Sequence, residues 1–331
     1  MKKLTGLPVL AVFVMVMLIW HPAQATIKLT YSTHFPAQHV QCKAVMDWAK
    51  EIEKRTQGEV QITVFPGGTL TPLPQLYDGV VKGISDIGFG IFGISSGRFP
   101  VMSALDLPVG FPSGIIATRV ANDFAQKINP KELQDVKLLY LHALGPSALM
   151  TKKPVRTLAD IRGMKIRSTG TSAKVATALG AVPVAMPIGN TYEALQKGVA
   201  EGTFAGMEAL KFWNFAEVTS TVTRCDSIGF TTTFFVVMNK SKWDKMPASI
   251  QKVFEQVDKE WIEVHGKIWD DSDQQGLLKA NELGNEVIDL TKDEQGRWVQ
   301  AVQKVLDEYS SRTPEGEKYI QTIQELIKSY E

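Results

Sequence analysis

A serine flanked by glycines is the best candidate in this chain for nucleophilic catalysis. The segment GISSG at residues 93–97 matches the G-x-S-x-G elbow of hydrolases, in which the serine attacks an ester carbonyl and a histidine takes its proton. The elbow also requires a strand, a sharp turn and a helix. Only His142 and His265 follow it, and His265 falls within a long helical pattern. These residues therefore leave a secreted serine hydrolase, with Ser95 as its nucleophile, as an alternative function for the protein.

A second glycine-rich pattern overlaps this one. GFGIFG at residues 88–93 matches the dinucleotide fingerprint G-x-G-x-x-G, which needs a helix directly after it to hold the pyrophosphate. The following residues, SSGRFP, have no helical period. We interpret the glycines as a mobile or close-approach loop and expect no cofactor.

The histidines and cysteines form no metal motif. His34 and His39 are five residues apart, which differs from the i, i+4 spacing of helical zinc sites. We interpret them as capping or solvated residues, although His34 follows a predicted strand, where ligands bind. Cys42 and Cys225 could form a disulfide or remain buried thiols. We expect no metal.

An arginine is placed where an anion could bind. A short helix between Pro154 and Gly163 is predicted to lead into a strand over residues 164–167, and a new helix follows. Arg167 thus lies at the carboxyl end of a strand, where open α/β sheets bind ligands. A guanidinium there can hold a carboxylate through two parallel hydrogen bonds. On spacing alone, a surface cation is the alternative.

The elements that position these residues follow an α/β pattern. Strands are predicted over residues 27–32 and 60–65, with a helix over 40–55 between them, which indicates parallel pairing through crossovers. A long helix is predicted over residues 250–281. The predicted fold class is therefore α/β.

One unit occurs twice. YDGVVKGISDIGF at residues 77–89 and YEALQKGVAEGTF at 192–204 share a tyrosine, a Lys-Gly pair and two acids at a constant offset of 115. Each copy predicts a proline turn, a short helix capped by Gly83 or Gly198, and a strand. Chance convergence on a common unit is the alternative, but two similar α/β lobes agree with the chain length.

Composition narrows the class of protein. The 331 residues include 44% hydrophobic residues, with 36 Lys+Arg against 35 Asp+Glu. This length favours two domains. The composition excludes a disordered chain, a disulfide scaffold and a polytopic membrane protein. Near neutrality argues against a nucleic-acid partner, which would need a basic field.

The N-terminus has the features of an export signal. Lys2 and Lys3 precede an uncharged apolar run at residues 7–20, and Ala23 and Ala25 provide an A-x-A cleavage site. The run of fourteen residues is shorter than a membrane-spanning helix. We expect residues 1–25 to be removed, which leaves 306 residues with a net charge of −1 in the periplasm.

From about Lys28 to the last helices, the chain resembles the solute-binding proteins of tripartite ATP-independent periplasmic (TRAP) transporters, the DctP-like family. The segments that carry the resemblance are HFPAQH (34–39), EIEKRTQGEVQITVFPGGTL (51–70), YDGVVKGISDIG (77–88), KPVRTLADIRGMKIRSTG (153–170), ALGAVPVAMP (178–187), YEALQKGVAEG (192–202) and FFVVMNKSKWDKMP (234–247).

This resemblance implies a two-lobe periplasmic binding protein fold, with hinge strands, a long helix that touches both lobes and a ligand closed between them. We expect lobe I to comprise residues 26–145 and 233–272, and lobe II residues 146–232 and 273–331. The implied partners are a small organic acid and the membrane permease subunits. We expect a monomer without enzymatic activity.

The resemblance also implies that Arg167 pairs with a ligand carboxylate. Many acid-binding members have an arginine where this chain has Pro146-Ser147, and an asparagine near Phe204-Ala205. Both departures disfavour a dicarboxylate or sialate-like ligand. We predict one carboxylate on an apolar or aromatic body, such as a hydroxy or keto acid. The expected apolar wall consists of Phe35, Phe89, Phe92, Phe204, Met207 and Phe234, and the expected polar contacts besides Arg167 are His34, Ser168 and Glu208.

The role of Glu208 is left open by the sequence. It could pair with Arg167, accept a hydrogen bond from a hydroxyl or amine of the ligand, or help to hold a cation.

Overall fold

A computed structural model describes residues 26–94 and 97–331. The predicted signal peptide, residues 1–25, and Ser95 of the hydrolase hypothesis lie outside the described residues. The strands are β1 (Ile27–Thr33), β2 (Val60–Phe65), β3 (Ile87–Ile91), β4 (Val136–Ala143), β5 (Ala148–Thr151), β6 (Lys165–Arg167), β7 (Val182–Val184), β8 (Gly202–Ala205), β9 (Thr221–Thr223), β10 (Thr233–Asn239) and β11 (Glu286–Ile288). The α-helices are α1 (Val40–Arg55), α2 (Leu76–Val81), α3 (Gly114–Ile128), α4 (Thr171–Ala178), α5 (Thr191–Gln196), α6 (Ala209–Phe212), α7 (Lys240–Asp244), α8 (Ala248–Glu282), α9 (Lys292–Arg312) and α10 (Gly316–Tyr330).

The first sheet has the strand order β2-β1-β3-β10-β4. β1 pairs in parallel with β2 and β3, whereas β10 is antiparallel to β3 and β4. Helix α1 packs against β2 and α8, and because its apolar residues recur every three or four positions, Val45, Trp48 and Ile52 are fully buried on one face. The predicted strand-helix-strand pattern over residues 27–65 is confirmed.

The second sheet has the order β11-β9-β5-β8-β6-β7. β6 pairs in parallel with β7 and β8, whereas β5 is antiparallel to β8 and β9. The carboxyl ends of β6 and β8 therefore lie at one edge of this sheet, as those of β1 and β3 do in the first sheet.

The repeated unit is confirmed as a structural repeat. Gly83 donates its N–H to the carbonyl of Val80, and Gly198 donates to Leu195, the equivalent residue 115 positions later. Both glycines have positive φ, 74° and 73°, a conformation that costs glycine little. Helices α2 and α5 and strands β3 and β8 follow the same offset.

Two hydrogen-bonded segments connect the sheets. Residues 144–147 lead from β4 to β5, and residues 230–232 precede β10. Leu144 donates its N–H to the carbonyl of Thr232 at 3.2 Å, and Ser147 donates to Phe230 at 2.9 Å. These paired crossings are the hinge strands that the resemblance implies.

Helix α8 spans 35 residues and contacts both halves of the molecule. Two glycines make these contacts possible. At Gly266 a Cβ atom would lie 2.5 Å from the Ile115 side chain of α3, and at Gly276 it would lie 1.9 Å from the carbonyl oxygen of Met207. The backbone of α8 therefore lies directly against the loop that carries Glu208.

The last two helices also reach both halves. α9 packs on α4, whereas α10 packs on α3, behind the first sheet. The rings of Tyr319 in α10 and Phe124 in α3 are 5.9 Å apart. The apolar face of α10 thus lies on the half opposite to the one expected for residues 273–331.

Three details differ from the sequence predictions or complete them. Residues 155–163 form turns and not a short helix. Gly88 and Gly90 lie in β3 and not in a mobile loop. The close-approach interpretation is confirmed for both, because a Cβ on Gly88 would lie 2.6 Å from Val80 and a Cβ on Gly90 would lie 2.6 Å from Phe235. Across residues 26–94 and 97–331, none of the helices is both long and apolar enough to cross a bilayer.

The two cysteines are buried free thiols and do not form a disulfide. Burial raises the pKa of Cys42 to about 11 and raises that of Cys225 further. Both thiols are therefore protonated at neutral pH.

We predict that Gly276→Ala lowers the free energy of unfolding by about 2 kcal/mol or more, because the new methyl group would overlap the carbonyl of Met207. Gly296→Ala in α9 is the matched control, since nothing lies within 4 Å of its Cβ position, and should stabilise by roughly 0.5–1 kcal/mol. Urea unfolding of both variants measures the difference. Equal stability of the two variants would contradict the close contact.

Candidate functional site

The candidate site is a cavity between the two sheets. It lies where the carboxyl ends of β1, β3, β6 and β8 meet the start of β10, the usual place for a ligand in such sheets. The volume accessible to the centre of a water-sized sphere is about 60 Å³. The lining residues are His34, Phe35, Leu73, Ile91, Ile94, Leu144, Ser147, Arg167, Thr169, Ser172, Ile188, Phe204, Ala205, Gly206, Glu208, Thr232 and Phe234.

Both copies of the repeat contribute to the wall. Leu73 and Ile188 begin the equivalent 3₁₀ turns before α2 and α5, 115 positions apart, and both line the cavity. Ile91 and Gly206 have the same offset and also line it. The repeat thus places matching positions on opposite sides of one ligand space.

Arg167 is a buried cation at the end of β6. Its Nε and Nη2 atoms donate to the Met186 carbonyl at 3.1 and 3.0 Å, and the residue is 6% exposed. Burial lowers the pKa of Arg167 to about 10, which leaves the guanidinium charged at neutral pH. Within residues 26–94 and 97–331, no carboxylate pairs with it. A buried charge of this kind requires an anionic partner, which a ligand can supply.

Glu208 pairs with His39 and not with Arg167. The Nε2 atom of His39 lies 3.2 Å from Oε2 of Glu208, and both side chains are buried. His39 also caps α1, because its Nδ1 accepts the N–H of Gln41 at 3.2 Å. The capping interpretation is confirmed for His39, whereas the solvated one is wrong. Asp273 accepts the backbone N–H of Glu208 at 2.8 Å.

An aromatic wall faces these polar groups. The rings of Phe35 and Phe234 are 5.8 Å apart, and His34 lies 4.2 Å from Phe35. Burial lowers the pKa of His34 to about 3, so the ring is neutral. Its Nδ1 is buried and has no hydrogen-bond partner among the described residues. From the other sheet, Phe204 adds an apolar surface and packs on Phe230.

Four residues expected at the site lie outside the lining. Phe89 is one layer behind it, 5.2 Å from Phe35 and 5.6 Å from Phe234. Phe92 packs with Phe99 at 5.1 Å on the other side of the first sheet, because it directly follows Ile91 of β3 and successive residues of a strand face opposite sides.

Ser168 and Met207 are the other two. The Ser168 hydroxyl donates back to the Ile166 carbonyl at 3.2 Å, so it points away from the cavity. Met207 lies in a separate apolar cluster with Leu210 and Ala280, because the loop packs against α8 there.

The sequence interpretation also missed several lining residues. Two signals in the sequence could have identified some of them. The repeat pairs Leu73 with Ile188, and several other lining residues directly precede or follow a residue that was predicted to line the site. The missed residues are Leu73, Ile91, Ile94, Leu144, Ser147, Thr169, Ser172, Ile188, Ala205, Gly206 and Thr232.

Two α/β halves, paired hinge strands and a charged cavity between them define the class of two-lobe solute-binding proteins. Residues 31–312 match the family described as bacterial extracellular solute-binding protein, family 7, also called DctP. The chain belongs to this family, which confirms the resemblance to TRAP solute-binding proteins. A group of three or more potential metal ligands does not occur in the described part of the chain.

Individual relatives agree with this assignment. The 2,3-diketo-L-gulonate-binding periplasmic protein YiaO of Escherichia coli is 26% identical over 274 residues, which cover 80% of this chain and 81% of YiaO. A TRAP periplasmic solute-binding protein of Desulfovibrio salexigens has 33% identity and a TM-score of 0.83, covering 93% of this chain and 97% of its own. Its structure is an open complex with the C-terminus of a symmetry mate in the ligand-binding site.

A third relative is a marine metagenome TRAP protein specific for aromatic acid ligands, solved with 3-hydroxybenzoate. It is 25% identical, has a TM-score of 0.87, and covers 93% of this chain and 99% of its own. The family match gives no support to the serine hydrolase alternative.

A buried carboxyl group fixes the start of β10 at the edge of the cavity. One oxygen of Asp106 accepts the N–H of Thr233 at 2.7 Å, between the lining residues Thr232 and Phe234. Burial raises the pKa of Asp106 to about 7, against an ordinary value of 3.8. The group therefore stabilises the fold fully below pH 3.8, and this contribution is lost as pH rises through 7.

We predict that Asp106→Asn, which cannot ionise, becomes more stable relative to the wild type as pH rises from 5 to 7. The difference should grow by about 1 kcal/mol per pH unit, since the wild-type carboxylate, ionised in the unfolded chain, must take up a proton on folding, whereas asparagine need not. Chemical unfolding at several pH values gives the slope. The exposed variant Asp244→Asn is the control, and a parallel pH profile for all three proteins would refute the assignment.

Proposed function

We propose that the protein captures an organic acid with a single carboxylate on an apolar or aromatic body and delivers it to a TRAP-type membrane permease. The observation that carries this proposal is the buried guanidinium of Arg167, which lacks a carboxylate partner in the described chain and lines a mainly apolar cavity. A ligand carboxylate would supply the missing charge in a bidentate pair.

The apolar lining supports a ligand with few polar groups. Phe35, Phe204 and Phe234 face the cavity, together with Leu73, Leu144 and other aliphatic residues. A polyhydroxylated acid would lose hydrogen bonds to water there without replacement. A structurally similar protein binds 3-hydroxybenzoate, which combines one carboxylate with an aromatic ring. A hydroxy or keto acid of this kind fits the cavity chemistry.

In this proposal the ligand holds the two halves together. Arg167 lies in the second sheet, whereas Phe234 lies in the first sheet and Phe35 follows its strand β1. A ligand that touches all three would therefore stabilise the closed arrangement. The backbones also meet across the cleft, because a Cβ on Gly170 would lie 2.8 Å from the carbonyl oxygen of Gly93. One lobe would comprise residues 26–145 and 233–272, and the other residues 146–232 and 273–331. Helix α10 would be an exception, because it packs on α3 and would move with the first lobe.

The cellular setting follows from the same proposal. The protein would be exported by the signal peptide at residues 1–25, cleaved after Ala25, and would act in the periplasm as a monomer. It would present its closed form to the permease and would make or break no covalent bond.

We predict that Arg167→Met abolishes the thermal stabilisation that organic acids give the wild type, because the carboxylate loses its cation. The free variant should melt at the same temperature as the wild type or higher, since an unbalanced buried charge has been removed. Differential scanning fluorimetry with a set of monocarboxylic acids measures both effects.

Two further variants complete this test. Arg167→Lys keeps the charge but not the bidentate geometry, and should weaken binding about tenfold or more. Arg162→Met, at an exposed position in the same half, should bind like the wild type. The proposal fails if no acid stabilises the wild type, or if Arg167→Met binds acids as tightly as the wild type does.

A further inference from the structure

The cavity carries opposite formal charges on two parts of its wall. Arg167 lies at the end of β6, and Glu208 lies in the loop after β8. The two are not paired, since Arg167 donates to Met186 and Glu208 contacts His39. Each charged group therefore remains available to a ligand that reaches both.

Glu208 keeps unused acceptor capacity. A carboxylate has two oxygens and can accept several hydrogen bonds. His39 reaches only Oε2, and no donor in residues 26–94 or 97–331 reaches Oε1. Because Nδ1 of His39 already accepts the N–H of Gln41, the ring has one N–H, at Nε2, to donate. Nε2 of His39 therefore donates to Oε2 and holds the Glu208 side chain in place, while Oε1 has no protein donor among the described residues.

The position of Glu208 is also fixed from behind. Asp273 of α8 accepts its backbone N–H at 2.8 Å, and Gly276 brings the backbone of α8 against the same loop. A side chain held by His39 and by α8 can select among ligands, because it cannot move away from a poorly matched one.

We propose that the ligand carries an O–H or N–H donor that reaches Glu208 while its carboxylate binds Arg167, and that Glu208 selects for this donor. This inference rests on the proposed function and narrows its ligand class. A keto oxygen or a second carboxylate can only accept hydrogen bonds, so each would meet Glu208 as an uncompensated acceptor. Glu208 therefore favours hydroxy and amino acids over keto acids and dicarboxylates.

The charge balance separates the two kinds of donor. A hydroxy acid leaves the cavity with one excess negative charge, because Arg167 is opposed by both Glu208 and the ligand carboxylate. An ammonium group on the ligand would balance Glu208 directly. Electrostatic interactions are strong in a site of low dielectric. We therefore expect the affinities of a hydroxy acid and of the matching amino acid to differ enough to be distinguished by titration.

The test uses three matched ligand series. The first is phenylacetate, mandelate, phenylglyoxylate and phenylglycine. The second is 4-methylpentanoate with its 2-hydroxy, 2-oxo and 2-amino derivatives. The third is benzoate with its hydroxy, formyl, aminomethyl and carboxy derivatives, which place the donor far from the carboxylate. Isothermal titration calorimetry gives the affinity of each for the mature protein.

In at least one series, we expect the hydroxyl or ammonium member to bind about tenfold or more tightly than both the parent acid and its carbonyl analogue. In Glu208→Leu this preference should disappear while the parent acid still binds. Glu208→Gln should retain part of a hydroxyl preference but lose an ammonium preference. Glu217→Gln, an exposed carboxylate in the same half, should behave like the wild type.

His39 acts through Glu208 and is therefore a positioning residue. His39→Leu should reduce the preference for the donor while leaving the affinity for the parent acid nearly unchanged, and His39→Gln, which keeps a donor, should restore the preference. A merely structural role would lower all affinities together.

The outcomes separate this inference from the proposed function. If no member of any series binds, or if Arg167→Met has no effect, both are overturned. If the acids bind through Arg167 but the donor-bearing members gain no affinity, or keep their gain in Glu208→Leu, the inference is wrong and the proposed function stands.

Discussion

A guanidinium held away from water without a carboxylate beside it is the constraint on which the rest of this structure depends. Removing a charge from water costs several kcal/mol, and the single carbonyl that Arg167 contacts through Met186 offsets only part of that cost. The surrounding fold has to supply stability elsewhere, and it does so through two extensive apolar cores behind the cleft. In the proposed function, a ligand carboxylate would offset this cost, and the pairing energy would stabilise the contact between the two halves.

Close backbone contacts hold that boundary in place. Gly266 and Gly276 let one helix touch both halves, and the crossing segments near Leu144 and Thr232 are bonded to each other. Apart from the Ile115 side chain that faces Gly266, these contacts involve main-chain atoms, which cannot rearrange as side chains do. The two halves are therefore joined through α8 and the paired crossing segments, and a hinge of this kind is what closure around a ligand would require.

Local pattern and strand ends were sufficient to predict part of this from the sequence. The spacing of Val45, Trp48 and Ile52 defines a buried helix face, and Arg167 could be placed because it follows a strand within a crossover unit. The Glu208–His39 pair could not be predicted, since 169 positions separate its members and their meeting depends on how the halves approach. Phe92 illustrates the other limit. Its spacing of three from Phe89 places its ring on the opposite side of the sheet, and this could be recognised only once the extent of β3 was known.

The repeat makes the two walls of the cleft nearly two-fold symmetric, but its two copies differ at a charged position that lines the cavity. Position 208 holds a glutamate, whereas the equivalent position 115 residues earlier is Gly93, which has no side chain and lets Gly170 approach. A truly symmetric cleft would accept an elongated molecule head-first or tail-first with equal ease. The two copies of the repeat are not equivalent at this pair of positions. Under the proposal, a ligand that contacts both Arg167 and Glu208 would bind in one orientation, so that its handedness as well as its shape would be recognised.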